Sequence, residues 1–510
     1  MCGIFCLLGD HDIEKMLPFF QKIKYRGPDS HEIMKWNNVF FGFHRLNIVD
    51  LSEAANQPLK HKSKDIWVIC NGEIYNHNTL LTDLNVTPPS HSDCESILYM
   101  YDTYGIEDTV KNLDGVFAFV LYDKEKNVVY VARDPFGVRP AFKGTDGNKV
   151  VIASEMKAIP SDYKIEHVPP GHYLTFNLND ISAYQQSPYF SYITTTTYRD
   201  DITGNINKLL RDAVTKRLMS DRPVGCLLSG GLDSSLIAAI AAENMNQPLH
   251  TFSIGLTGSP DLYYANMVAT HIKSIHHEIV LTSEQFLEAI PDVIYTIESY
   301  DVTTVRASVG NYLIAKYIKE ATDITVVFGG EGSDELCGGY LYFKHSPDSV
   351  AFDSECKRLL MDIHKFDALR CDRCISSKWS LEARVPFLDK KFVREYLSIP
   401  IHMRMDGNKQ LLRDTFAKDN LIPEAVLNRK KEAFSDGVSP VSNSWYHIIE
   451  KHLDKLLDST NIPSNMTKEQ YYYRSIFERF FGNKNNDIIP YQWMPKWVDA
   501  TDPSARKISL

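Results

Sequence analysis

Val224-Gly225-Cys226-Leu227-Leu228-Ser229-Gly230-Gly231-Leu232-Asp233-Ser234-Ser235 is the stretch that decides how most of this chain folds. Val224 to Leu228 is a short apolar strand, Ser229 to Asp233 a glycine-rich turn, and Leu236 to Ala242 an apolar run at helical spacing. Strand, turn and helix in that order open a parallel α/β sheet. Just upstream, Ile206, Leu209, Leu210, Ala213 and Val214 recur at helical spacing, so a helix precedes the strand. Downstream, Thr251 to Leu256, His277 to Leu281 and Ile324 to Phe328 are further strand candidates with helical stretches between them. The alternation predicts a doubly wound sheet whose ligand lies outside the carboxyl ends of the strands, where the glycine turns are.

The turn has the chemistry of a pyrophosphate cradle, because hydroxyls and backbone N–H groups meet at a helix N-terminus. It is not a Walker A loop, since no Gly-Lys-Ser/Thr occurs in the chain. It resembles the loop of the ATP-pyrophosphatases, which implies adenylation of a substrate with release of pyrophosphate. A second acidic loop, Gly329-Gly330-Glu331-Gly332-Ser333-Asp334-Glu335, follows Val326-Val327-Phe328 and leads to Gly338-Gly339-Tyr340. By the same topology it faces the first loop across the switch point.

The N-terminal part carries a different pattern. Cys2-Gly3-Ile4-Phe5 follows the initiator methionine, and a cysteine that becomes residue one would hold nucleophile and base together. A thiol of pKa about 8.5 beside an α-amine of about 7.7 to 8.0 can deliver a thiolate near neutral pH. With Cys2 come Tyr25-Arg26-Gly27-Pro28-Asp29, His44-Arg45-Leu46-Asn47-Ile48-Val49-Asp50, Asn71-Gly72-Glu73-Ile74-Tyr75-Asn76, Ser92-Asp93-Cys94-Glu95 and Gly115-Val116-Phe117-Ala118-Phe119. In order and spacing these resemble the class II glutamine amidotransferase domain over roughly residues 1 to 185. The resemblance implies that Cys2 hydrolyses glutamine, with the Asn71 amide and the Gly72 N–H as oxyanion hole. It also implies that Arg45, with Leu46, Asn47, Ile48 and Val49, takes the glutamine carboxylate end, and that Glu73 and Asp93 take its ammonium.

Taken with Tyr300-Asp301-Val302-Thr303-Thr304, Arg384-Val385-Pro386-Phe387-Leu388-Asp389 and Lys430-Lys431-Glu432-Ala433-Phe434-Ser435-Asp436-Gly437, the loops resemble the glutamine-hydrolysing asparagine synthetases across nearly the whole chain. That resemblance implies ATP as substrate and Mg²⁺ held by Asp233 and Asp334. It implies nucleotide contacts from Leu227, Ser229, Gly230, Gly231, Asp233, Ser234, Ile254, Gly329 and Gly330. Glu331 would form and consume a β-aspartyl-AMP, while Asp367, Arg370 and Lys431 would bind aspartate and the intermediate. Ammonia released in the first domain would pass to the second, because an exposed acyl adenylate is lost to water. Three departures stand out: Gly329 replaces a serine, Val309-Gly310 replaces Thr-Pro, and one extra residue between Arg370 and Glu382 leaves Arg370 and Arg373 competing for one role.

Composition sets the frame. The 510 residues exceed one core and suggest domains at 1–187 and 201–510, joined by a linker at 188–200 that includes Thr194-Thr195-Thr196-Thr197. The fold class expected is α/β and α+β: an N-terminal-nucleophile αββα sandwich, then a doubly wound parallel-sheet domain of the ATP-pyrophosphatase type. A net charge of −10 argues for a soluble protein without nucleic-acid partners, and no apolar run approaches the length of a membrane span. Nine cysteines and no signal-peptide pattern point to the cytoplasm. Cys371 and Cys374 make one CxxC near His364, which is too few ligands for zinc. The oligomeric state stays open, with a homodimer among the options. Other amidotransferases with a class II half lack the Ser229 to Ser235 loop, and a β-lactam synthetase lacks the N-terminal cysteine. A catalytically dead binding homologue would have lost at least one of the residues named above.

Overall fold

The computed structural model describes residues 1–405, 407–458 and 462–504. In the N-terminal part, two six-stranded antiparallel sheets stack face to face. One runs Lys164–His167, Phe142–Thr145, Val150–Ala153, Gly3–Leu8, Val39–Arg45, Ser30–Lys35. The other runs Asp180–Pro188, His172–Asn177, Val128–Arg133, Gly115–Asp123, Ile66–Ile74, Leu59–Lys60. Alternation along a strand sends neighbouring side chains to opposite faces, and here both faces are apolar. Ile4, Cys6 and Leu8 pack between the sheets against Ile69, Ala118 and Val120. Phe5 and Leu7 turn outward onto Met16 and Phe20 of the helix Ile13–Gln21. On the far side, Cys70, Phe117 and Phe119 are covered by Leu80, Leu81, Ile97 and Leu98 from the helices His77–Asp83 and Ser96–Asn112. The result is the αββα sandwich.

Residues 189–201 carry no helix or strand and lie along the second domain, with Thr197 N bonded to Ser398 O at 2.8 Å. A helix at Ile202–Lys216 then leads into a five-stranded parallel sheet. Its order is Ile275–Leu281, His250–Leu256, Val224–Leu227, Val326–Phe328, Glu382–Arg384. The chain builds one edge and returns to the other side of its first strand, so the switch point lies between Val224–Leu227 and Val326–Phe328. Both glycine loops leave from there. The strand Glu382–Arg384 carries no apolar signal; it is buried because Glu382 and Arg384 pair with each other at 2.8 Å while its backbone completes the sheet. Near the C-terminus the helix Lys468–Phe481 buries Tyr473, Ile476 and Phe477. Phe480, which the spacing places on the same stripe, is instead 49% exposed and Phe481 is buried.

A network of buried charge joins the domains. Asp372 accepts from Arg26 at 3.1 Å and from Arg139 at 3.4 Å, and Arg26 also pairs with Glu155 at 2.7 Å. Removing one partner from such a network strands the others away from water. Asp372→Ala is therefore expected to lower unfolding stability by about 3–5 kcal/mol in a denaturant melt. An unchanged midpoint would show that the interface does not depend on this carboxylate.

Candidate active sites

The first site surrounds Cys2, at the start of a central strand of the sandwich. Its Sγ lies 3.7 Å from the carbonyl oxygen of Leu46, and its own carbonyl accepts from Arg26 Nε at 2.9 Å. Burial pushes the thiol pKa up, and the Met1 amine and Arg45 pull the other way. Met1 is itself buried, and while it is present the Cys2 nitrogen is a peptide nitrogen. Asn71 is fully buried, yet neither atom of its side-chain amide has a hydrogen-bond partner. Such orphaned amides are costly unless something absent satisfies them. Gly72 sits where a Cβ would lie 2.2 Å from Val116 O, so strand packing alone forbids a side chain there.

Glu73 and Asp93 are buried together, and Glu73 Oε2 has no hydrogen bond although Arg384 Nη2 lies 3.9 Å away. Burial, then the nearby Glu382 carboxylate, raises Glu73 well above the usual carboxylate range. Asp93 is raised too, chiefly by burial, while accepting from Ile74 N at 2.6 Å. The Arg45 guanidinium is held by Asn56 Oδ1 at 2.7 Å, the Ser52 carbonyl at 2.8 Å and the Asp50 carbonyl. In the rest of that motif the apolar side chains pack, while the Asn47 Oδ1 is buried without a hydrogen-bond partner. Leu46 and Ile48 belong to the hydrophobic core, Val49 packs against it, and Asn47 binds Asp29 and Arg222 through its backbone.

The second site is a cavity at the switch point. Leu227, Ser229, Gly231, Asp233, Ser234, Ile254, Gly329, Gly330, Glu331, Asp334, Asp367, Arg370 and Lys431 all line it. Gly230 does not: its φ is +66°, and a Cβ would lie 2.4 Å from Ala265 N on the helix Pro260–Ile272. It forms a left-handed turn pressed onto that helix.

Sequence reasoning missed the residue at the centre. Lys409 Nζ lies 2.6 Å from Asp233 Oδ2 and 2.6 Å from Asp334 Oδ1, the second an ion pair without hydrogen-bond geometry. Burial opposes the charge on Lys409, but the two aspartates more than offset it and its pKa rises. Burial likewise raises Asp334, but Lys409 and Lys431 hold it below the usual range. Gly339 makes the approach possible, since a Cβ there would lie 1.9 Å from Lys409 Cε. Arg429 was missed as well; it bonds Ser229 O at 3.1 Å and Asp261 at 2.6 Å. Lys409 is a single cation in a loop with no local signal, and Arg429 lies one residue before the Lys430-Lys431 motif.

Arg370 Nε pairs with Asp367 at 2.6 Å and its guanidinium lies 3.7 Å from Glu331. Arg373 turns away, to Glu298 and the Ile297 carbonyl. One turn of helix thus separates a cation of the cavity from a cation of the core. Cys371 and Cys374 are buried on the same helix, and among the described residues no cluster of three metal-ligating side chains exists. Gly329 also has a steric meaning: a Cβ would lie 2.1 Å from Glu331 Oε2, so the missing side chain lets that carboxylate fold back over the loop.

An amide-hydrolysing site on an αββα sandwich, joined to a phosphate-cradling cavity on a parallel sheet, defines a two-domain amidotransferase and synthetase. Residues 1–192 match the family described as glutamine amidotransferase domain, and residues 205–351 and 344–500 match the family described as asparagine synthase. Curated relatives named asparagine synthetase [glutamine-hydrolyzing] are 41% identical in Homo sapiens and 42% in Cricetulus griseus, each covering 100% of this chain and 99% of the relative. The chain belongs to the glutamine-hydrolysing asparagine synthetases, ligases that take their amido nitrogen from glutamine. Among solved structures, glutamine phosphoribosylpyrophosphate amidotransferase from B. subtilis covers 55% of this chain and 81% of its own at 16% identity and TM-score 0.33. NMN synthetase from Francisella tularensis covers 60% and 99% at 13% identity and TM-score 0.26.

Proposed function

We propose that asparagine synthesis in this enzyme runs through a β-aspartyl-AMP made in the switch-point cavity, and that ammonia reaches it from Cys2 across the buried domain interface. The observation that carries the reading is the convergence of both glycine loops on one cavity that also holds Asp367, Arg370 and Lys431. Cradle N–H groups and Lys409 would take the pyrophosphate, while Arg370 and Lys431 would neutralise aspartate and the α-phosphate. Among the described residues Asp233 and Asp334 belong to no group of three metal-ligating side chains, which fits Mg²⁺ arriving on the phosphates better than a resident ion. When bound, that ion would supply charge neutralisation on the leaving pyrophosphate.

In the first site Cys2 attacks the glutamine amide, and the Asn71 amide and Gly72 N–H receive the oxyanion. The orphaned Asn71 side chain supports this role. Glu73 and Asp93 hold the substrate ammonium, which would restore their ionised forms. The helix Asp367–Ser376 links the sites, with Asp367 and Arg370 on the cavity and Asp372 on the interface with Arg26. Nine free cysteines support a reducing, cytoplasmic setting, and no helix among the described residues is long and apolar enough to cross a membrane.

The test is product analysis with ATP, Mg²⁺, aspartate and glutamine. The expected products are AMP, pyrophosphate, glutamate and asparagine in equal amounts. ADP and phosphate as the main nucleotide products would remove the acyl-adenylate step.

A further inference from the structure

One wall of the synthetase cavity comes from the last stretch of the described chain. Residues 489–504 form no helix or strand, yet they are pinned at several points to segments that line the cavity. Trp493 N donates to Asp301 Oδ1 at 2.7 Å, and Gln492 Oε1 accepts from Val302 N at 3.1 Å, immediately before the cavity-lining Thr303 and Thr304. Asp502 takes two N–H groups of Arg306, at 2.9 and 2.8 Å. The Ser504 hydroxyl donates to Asp436 Oδ1 at 2.7 Å, immediately after the cavity-lining Phe434 and Ser435.

Trp493 is the member of this stretch that lines the cavity itself. It is 9% exposed, with its ring 5.6 Å from that of Tyr340 and 6.0 Å from that of Tyr342. Tyr340 in turn donates to Asp367 Oδ2 at 2.9 Å, and Lys431 Nζ lies 5.9 Å from its ring. The indole therefore stands behind the Asp367, Arg370 and Lys431 end of the cavity, where a large apolar surface displaces water.

We propose that residues 489–504 are a strap that completes the synthetase cavity, and that Trp493 is its specificity wall, keeping water away from activated aspartate so that ammonia is the nucleophile. This rests on the acyl-adenylate reading above. Ammonia adding to the acyl carbon breaks the bond to the phosphate oxygen, releases AMP and, after losing one proton, leaves asparagine. Water adding there breaks the same bond and releases the same AMP, but returns aspartate. The wall thus acts on the ratio of products more than on the rate of activation.

The experiment uses the full chain with ATP, Mg²⁺, aspartate and ammonium chloride, and counts pyrophosphate released per asparagine formed. Wild type is expected near one. Trp493→Ala is expected to raise the ratio by roughly threefold or more, with an unchanged unfolding midpoint as the sign of an intact fold. Trp493→Phe should return it close to wild type. Ser504→Ala, which unpins the strap without touching the cavity, should raise it by less. A ratio that stays at one in Trp493→Ala, or pyrophosphate and asparagine falling in parallel, overturns the wall. Wild type that releases no pyrophosphate in response to aspartate overturns the adenylate reading, and the strap's role with it.

Discussion

Cys2→Ala is expected to abolish asparagine formation from glutamine, by roughly a thousandfold or more, while formation from ammonium salts continues. The Cys2 thiol is the nucleophile assigned to the first site, and among the described residues its hydrogen bond is to the Leu46 carbonyl and not to any group of the second site. Losing Sγ therefore removes the acyl-enzyme and nothing else. The ammonia-dependent rate should rise with pH, because free ammonia and not ammonium is the nucleophile. Retained Met1 should produce the same split, since the adjacent amine then belongs to methionine and the Cys2 nitrogen is an amide. Intact mass and paired assays with glutamine and ammonium chloride check both statements. A Cys2→Ala enzyme that still hydrolyses glutamine, or that loses the ammonia reaction while folded, contradicts the division of labour.

Glu331→Gln should have the opposite signature: glutamine hydrolysis intact, and asparagine synthesis down by about 10²- to 10⁴-fold from either nitrogen source. Glu331 lies just past the end of its strand with Oε1 3.7 Å from Arg370 and Oε2 buried without a partner, the posture of a carboxylate waiting for a ligand. Glutamine preserves its size and removes its charge and basicity, and Arg370 keeps its pair with Asp367. The effect should therefore not appear as lost stability. Near wild-type synthesis from ammonia would take Glu331 out of the mechanism.

Much of this was legible in the sequence because the deciding signals are local. A glycine turn between an apolar strand and an apolar helix specifies its own geometry, and the repeated alternation of such units leaves few topologies for the sheet. The same holds at the N-terminus, where Cys2, Asn71, Gly72, Glu73 and Asp93 each sit in a short recognisable run.

What only the tertiary structure decided involves charges, since a buried charge is tolerated only beside a partner that the chain supplies from far away. Lys409 comes 176 residues after the Asp233 it neutralises. The strand Glu382–Arg384 reads as polar until its side chains pair inside the sheet. Arg370 and Arg373 were indistinguishable by spacing, and separate only because Asp367 and Glu298 stand on different sides of one helix. Trp493 carried no motif at all; its place on the cavity wall depends on hydrogen bonds that the strap donates to Asp301 and Asp436 and accepts from Arg306.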